Sequence, residues 1–215
     1  MSFQIMLKQL TTGFGSTLLI FFLTLLFSLP IGMVVYFGRQ SKFKPLSWIV
    51  KAYISIMRGT PLMLQLLLWY FGPFYLWGMN IGGYKFTAII LGCSLNYAAY
   101  FAEIYRSGIE SIPVGQYEAA QLLGYNKQQT FFKIVLPQVV KIILPSVTNE
   151  VITLVKDTSL AFVVAVAEMF TIAKQIASSQ TTMVPFVGAA VFYYIFNLIV
   201  AMVMDKVEKK LNYYR

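Results

Sequence analysis

The sequence predicts an all-α integral membrane protein: a single transmembrane domain over residues 1–215, with about five transmembrane helices, its N-terminus outside and its C-terminus cytoplasmic. Three observations carry this expectation. Apolar residues make up 58% of the 215-residue chain and charged residues only 12%, against about half and about a quarter in an ordinary soluble domain. Mean hydropathy is +0.69. The apolar residues also gather into runs long enough to cross a hydrocarbon core about 30 Å thick, which takes about 20 helical residues. So few charges cannot cover a water-exposed surface. A cytosolic enzyme is excluded, and a disordered tail more firmly still.

The first run, Thr17 to Phe37, ends at the basic segment Arg39-Gln-Ser-Lys42-Phe-Lys44. A second run from Leu46 to Trp77 is too long for one simple span. It divides at Arg58-Gly59-Thr60-Pro61, because proline restricts the residue before it and donates no backbone N–H. Leu46 to Met57 is then an interfacial part and Pro61 to Trp77 a span. The third span covers Phe86 to Tyr105, and the last covers Phe186 to Met204 and stops at Asp205-Lys206. Between them, residues 107–141 are too polar to cross a membrane and form a cytoplasmic helical loop. Beyond Pro145, Val147 to Phe170 is apolar again and is read as a fifth span, interrupted by Glu150, Lys156, Asp157 and Glu168.

Orientation follows from the bias of Lys and Arg toward cytoplasmic loops. With the N-terminus outside, Arg39, Lys42, Lys44, Lys51, Arg106, Lys127, Lys133, Lys141, Lys206, Lys209, Lys210 and Arg215 are cytoplasmic, whereas only Lys8, Lys85 and Lys174 are outside. Arg58 and Lys156 fall within or near the membrane. The net charge of +9 therefore belongs to a membrane surface rather than to a nucleic-acid site. Met1 to Leu10 lacks a short apolar core followed by a small-residue cleavage site, so no removable signal peptide is expected. The chain contains no His and one Cys, Cys93, which leaves no imidazole chemistry, no disulfide framework and no Cys/His metal site. No GxxxxGK[ST] phosphate loop occurs, so the chain cannot hydrolyse ATP by that route, and if it works uphill something else supplies the energy.

The loop has its own logic. Gln116 to Leu123 is rich in helix formers, with Ala119, Ala120 and Leu123 as a narrow, small-residue face. Gly124 suits a helix C-cap, Asn126 caps a second short helix running to Val135, and Pro137 is expected to bend the chain away. Such a knob packs on its own protein or seats in a cleft of a partner; the pattern alone leaves both open. Its spacing adds more. Glu118, Ala119, Ala120, Gly124, Ile134, Leu136 and Pro137 match position for position the E-A-A, three residues, G, nine residues, I-x-L-P signature, and so resemble the coupling loop of permease subunits in bacterial ABC importers of the type I fold. Arg58-Gly59-Thr60-Pro61-Leu62, Ala102-Glu103-Ile104-Tyr105-Arg106 and Lys156-Asp157-Thr158-Ser159-Leu160 are similar to segments of the branch that imports polar amino acids. The resemblance runs from Gly13 to the C-terminus.

What the resemblance implies is an alternating-access permease in a bacterial cell membrane. It implies two permease subunits, most simply a homodimer, each docked on one of two cytosolic ABC ATPases that bind the ATP and Mg, with no cofactor in this chain, and an extracytoplasmic binding protein that delivers substrate. Glu118 would then be the charged contact to the ATPase, and Gly124 would permit the turn seated in its cleft.

Polar groups within the spans are candidates for the transport path, because an ionisable side chain in a membrane is costly to desolvate. Asn96, Tyr100 and Glu103 share one face of the third span at i, i+4 and i+7. Asn149, Thr153 and Lys156 repeat that spacing on the next, with Glu150 and Asp157 in a parallel acidic row. At ~1.5 Å per residue, Lys156 lies roughly 16 Å beyond Pro145, near the midplane. Asn96, Tyr100, Glu103, Lys156 and Asp157 are the expected substrate contacts, with Lys156 or helix-end N–H groups for an α-carboxylate and the acids or Asn96 for an ammonium. An alternative is open for each acid: Glu103 pairs with Arg106, and Lys156 with Asp157. Arg58 and Glu168 are candidate gates, although Arg58 equally suits a lipid-phosphate anchor and Glu168 a binding-protein contact or a solvated helix terminus. The excess of acids favours a cationic or zwitterionic amino acid. A membrane enzyme lacks any supporting motif. A passive channel or structural membrane subunit fits the composition but does not predict the loop.

Overall fold

The computed structural model describes residues 2–211, and its regular elements there are all helical. In chain order they are α1 (Phe3–Arg39), α2 (Lys44–Gly59), α3 (Leu62–Trp77), α4 (Lys85–Glu110), α5 (Val114–Leu122), α6 (Lys127–Thr130), α7 (Leu136–Asp157), α8 (Met169–Gln180) and α9 (Val184–Leu211). A π-helical turn, Phe131–Val135, joins α6 to α7, and a 3-10 segment, Thr158–Val164, prolongs α7. Four stretches are long and apolar enough to cross a membrane: Phe3–Arg39, Lys85–Glu110, Lys127–Val164 and Val184–Leu211. Leu62–Trp77 is apolar but shorter. The protein is thus a multi-spanning all-α membrane protein. Arg215, counted above with the cytoplasmic basic residues, lies outside the described residues.

Three boundaries differ from those expected. Helix α1 starts at Phe3 rather than near Thr17. Ser2 caps it, and the Thr11 and Thr12 hydroxyls donate to the carbonyls of Leu7 and Lys8 at 2.8 and 3.0 Å, so these polar residues satisfy themselves within the helix. Pro137 does not bend the chain away. It sits in the first turn of α7, where a missing N–H breaks no helical bond, and the preceding π turn absorbs the irregularity. The expected span from Val147 to Phe170 is also re-cut. The helical column runs to Val164, Ala165 then turns left-handed at φ 53°, and Glu168 opens a separate helix, α8.

Helix α4 is the axis of the bundle. Ala98, Ala99, Phe101 and Ala102 have no accessible surface, and Gly32 of α1 packs directly on them. A Cβ added at Gly32 would lie 2.9 Å from the Phe101 Cβ and 3.1 Å from the Ala98 carbonyl. Small residues bring helix backbones into contact where lipid supplies no hydrophobic drive between them. Phe21, Phe101, Leu154, Val155 and Phe196 complete this core from α1, α4, α7 and α9. The outward rows of α9, such as Val191, Ile195, Leu198 and Met202, stay exposed and suit lipid.

Candidate functional site

Glu103 is the electrostatic centre of the bundle. Its carboxylate, only 14% exposed, pairs with Arg39 at the end of α1 and with Arg106 one turn along α4 at 2.9 Å, and lies 3.7 Å from Arg58 at the end of α2. Arg106 also pairs with Glu110. Three guanidinium groups from three helices thus converge on one acid. The Arg58 guanidinium lies 5.3 Å from the centroid of the Tyr100 ring, a cation–π geometry. Arg58, Tyr100, Glu103 and Arg106 line a cavity of about 290 Å³, which Ser146 and Glu150 close from α7. The expected pairing of Glu103 with Arg106 is present, and two further arginines join it.

Asn96 is buried one step deeper and is held by the protein itself. Its amide donates to the Met57 carbonyl and to Gln65 Oε1, both at 2.9 Å. Gln65 Nε2 in turn donates to Met57 O, Thr60 O and Thr60 Oγ1 at 3.0, 3.1 and 2.8 Å. These bonds satisfy the carbonyls freed where α2 stops and α3 starts at Pro61, the deficit that a proline break creates inside a membrane.

Asp157 does not pair with Lys156; no ion pair joins them among the described residues. It accepts a hydrogen bond at 2.7 Å from the Tyr97 hydroxyl of α4. Lys156 is exposed, as are Ser146, Asn149 and Thr153, so the expected polar face of α7 exists but none of the described residues covers it. Glu168 is wholly buried. Its carboxylate accepts from the N–H groups of Phe170 and Thr171, both at 2.6 Å, from Thr171 Oγ1 at 2.7 Å and from Tyr193 OH at 3.0 Å. It is the N-cap of α8, at the helix end where negative charge is favoured.

The loop between α4 and α7 is a compact knob with its own small core of Ile112, Val135 and Val139. Ala120 is buried, whereas Glu118 and Ala119 are exposed, and Leu122 and Leu123 are 89% and 75% exposed. The outward face is therefore larger and more apolar than the expected small-residue face, since Ala120 turns inward. Gly124 has φ +78° and its N–H reaches back to Gln121 O at 2.9 Å, while Asn126 and Gln129 form a reciprocal capping box at 2.9 Å. Pro137 is exposed; Ile134 and Leu136 are half-buried behind the knob. Among the described residues no group of three acidic, Cys or His side chains could hold a metal.

The family model described as the inner membrane component of binding-protein-dependent transport systems matches residues 28–213. The chain belongs to this family. It is similar to the L-cystine transport system permease protein TcyB of Bacillus subtilis, at 34% identity over 95% of this chain and 87% of that protein. It is also similar to the arginine transport system permease protein ArtQ of the same organism, at 38% identity over 93% and 91%. Its fold superposes on an amino acid ABC transporter crystallised with histidines, with a TM-score of 0.88 and 32% identity, covering 98% and 99% of the two chains. An inward-facing MetNI methionine ABC transporter shares the fold at TM-score 0.74 and 21% identity.

This inner-membrane permease subunit uses several residues that sequence reasoning passed over. Gln65 carried a signal, as the single strongly polar side chain in the apolar run from Leu62 to Trp77. Tyr97 carried none among so many aromatics. Arg39 was visible only as a basic flank, because the register that lays the end of α1 beside Glu103 is a tertiary fact.

Proposed function

We propose that this permease, paired with a second permease subunit, moves a polar amino acid from an extracytoplasmic binding protein into the cytoplasm by alternating access driven by two cytosolic ATPases. The N-terminus lies outside, the α5–α6 knob and the end of α9 lie in the cytoplasm, and α2 and α3 together make the fifth crossing. The observation that carries the reading is the knob: Glu118, Ala119, Leu122 and Leu123 stand uncovered around the left-handed Gly124, apolar surface that water disfavours and an ATPase cleft would bury. The relatives named for cystine and arginine transport support an amino acid as substrate.

Arg58 and Glu150 face the same small cavity, so a zwitterion can place its carboxylate on the guanidinium and its ammonium on the acid. Tyr100 forms the wall between them. Glu103 and Asn96 act one step back: Glu103 holds Arg58 in place, and Asn96 fixes the backbone break from which Arg58 projects. Asp157, held by Tyr97, and the uncovered Asn149, Thr153 and Lys156 line the path where the two permeases meet, and Glu168 holds the outer end of that path through the start of α8. A second permease resolves the difficulty of a polar helix face at membrane depth, because lipid cannot solvate it.

Purification in mild detergent with the native ATPase tests the coupling. The expected result is a stoichiometric ATPase and substrate-stimulated hydrolysis, both lost in Glu118→Lys. An isolated chain with no ATPase bound after crosslinking in the membrane would overturn the reading.

A further inference from the structure

A second cavity lies apart from the polar centre, where the knob returns to α7. It holds about 580 Å³ and is lined by Lys133 and Lys141, by Gln116 and Gln138, and by Ile142 and Leu211 among its apolar residues. No acid lines it. Lys141 makes no ion pair among the described residues, and the Lys133 ammonium lies 5.8 Å from the Tyr125 ring centroid. A neighbouring groove of about 430 Å³ shares Lys141, Ile142 and Leu211 and adds Asp205, Glu208 and Lys209 from α9. Its two acids already have partners: Asp205 binds Lys209 at 2.7 Å, and Glu208 accepts from the Thr148 hydroxyl at 2.7 Å. Glu208 keeps its charge, but neither it nor any other acid forms an ion pair with Lys133 or Lys141 among the described residues.

Its position is equally informative. Ile143 packs on Gly108, a residue pair just past Arg106, so Lys141 lies at the level where α4 leaves the bundle core. Helix α9 changes there from its apolar rows to the charged run that starts at Asp205. Val207 and Val203, four and eight residues before Leu211, are exposed and lead from the cavity along the apolar surface of α9. Two ammonium groups without an ion-pair partner among the described residues and two amides at one end, with an uncovered hydrocarbon track at the other, match a molecule with an anionic head and an apolar tail.

We propose that this cavity binds the headgroup of an anionic phospholipid, with the phosphate between Lys133 and Lys141 and an acyl chain along α9. Basic pockets between helices at the cytoplasmic side of a membrane attract such headgroups. The lipid would fill the joint between the ATPase-docking knob and the spanning helix α7, so it would stiffen the element through which the two move together. The placement at the cytoplasmic leaflet rests on the topology proposed above; binding in a bilayer with the same lipid in both leaflets does not.

The test uses the assembled transporter in nanodiscs of phosphatidylcholine with graded phosphatidylglycerol, and native mass spectrometry to count retained lipids. The expected result is one tightly retained phosphatidylglycerol per permease and coupled ATP hydrolysis that rises with its fraction. In Lys133→Gln/Lys141→Gln the retained lipid weakens by about fivefold per lysine removed, and the rise shifts to higher phosphatidylglycerol. Lys42→Gln/Lys44→Gln removes the same charge from the α1–α2 turn and keeps the retained lipid. Equal retention by the wild type and the Lys133/Lys141 variant would overturn the proposal. So would equal loss in the Lys42/Lys44 control, which would reduce the effect to net charge. A second protein protecting Lys141 from acylation in lipid-free detergent would assign the cavity to that protein and overturn it as well.

Discussion

Arg39, the last residue of α1, is ion-paired with Glu103 in the middle of α4, and the same carboxylate holds Arg106 and approaches Arg58. One acid thereby fixes the relative positions of α1, α2 and α4. The cluster is half sheltered, where a lone charge is poorly solvated but a paired one is tolerated.

Neutralising that acid should cost more than any single arginine. Glu103→Gln leaves three guanidinium groups facing one another with a weak acceptor, and the expected loss is about 3 kcal/mol of stability. A lowered thermal unfolding midpoint in detergent reads it out. Arg39→Gln added to Glu103→Gln should cost less than the sum of the two, because the second substitution removes one of the stranded charges. Strict additivity would mean that the pair does not bear on the fold.

Asn96 and Gln65 should behave as one unit. Asn96→Ala removes a donor from Gln65 and from the Met57 carbonyl, and about 1–2 kcal/mol is the expected cost of leaving such groups short of a partner. Gln65→Ala should cost a similar amount, and the double variant little more than either. Transport should fall in both singles in parallel with stability. If Asn96→Ala instead raised the substrate KM with an unchanged unfolding midpoint, while Gln65→Ala did nothing, Asn96 would be a substrate contact and not a support for the α2–α3 break.

Much of this architecture was legible in one dimension, for identifiable reasons. Apolar run length located the helices long and apolar enough to cross a membrane, because bilayer thickness sets that length. The loop announced itself through Gly124 and Asn126, whose local conformational preferences need no tertiary help. The extent of α1 was hidden because Thr11 and Thr12 look polar in sequence but bond to their own helix. Pro137 misled because proline ends a helix in its interior and begins one at its first turn, and only the preceding π turn distinguishes the two. Within the site, periodicity placed Asn96, Tyr100 and Glu103 on one face correctly. It could not tell that Asn96 is spent on Met57 and Gln65, or that Arg39 and Arg58 reach Glu103, since those partners lie on other helices.

The uncovered face of α7 yields the prediction that bears most directly on assembly. Asn149, Thr153 and Lys156 are exposed on a helical stretch long and apolar enough to cross a membrane, as are Leu198 and Met202 on α9, yet the two faces differ in chemistry. Lipid suits the α9 row; only protein or an aqueous path suits the α7 row. Cys93, which is buried, is first replaced in Cys93→Ala so that introduced thiols are the only ones present. Thr153→Cys in that background should then crosslink in native membranes to a second permease through a short bifunctional maleimide, and Leu198→Cys should not. A product of twice the chain mass identifies a homodimer, and a product joined to a chain of different mass identifies a related second permease. If Thr153→Cys were modified no faster than Leu198→Cys and remained monomeric, the polar face would lie against lipid and the paired-permease reading would fail.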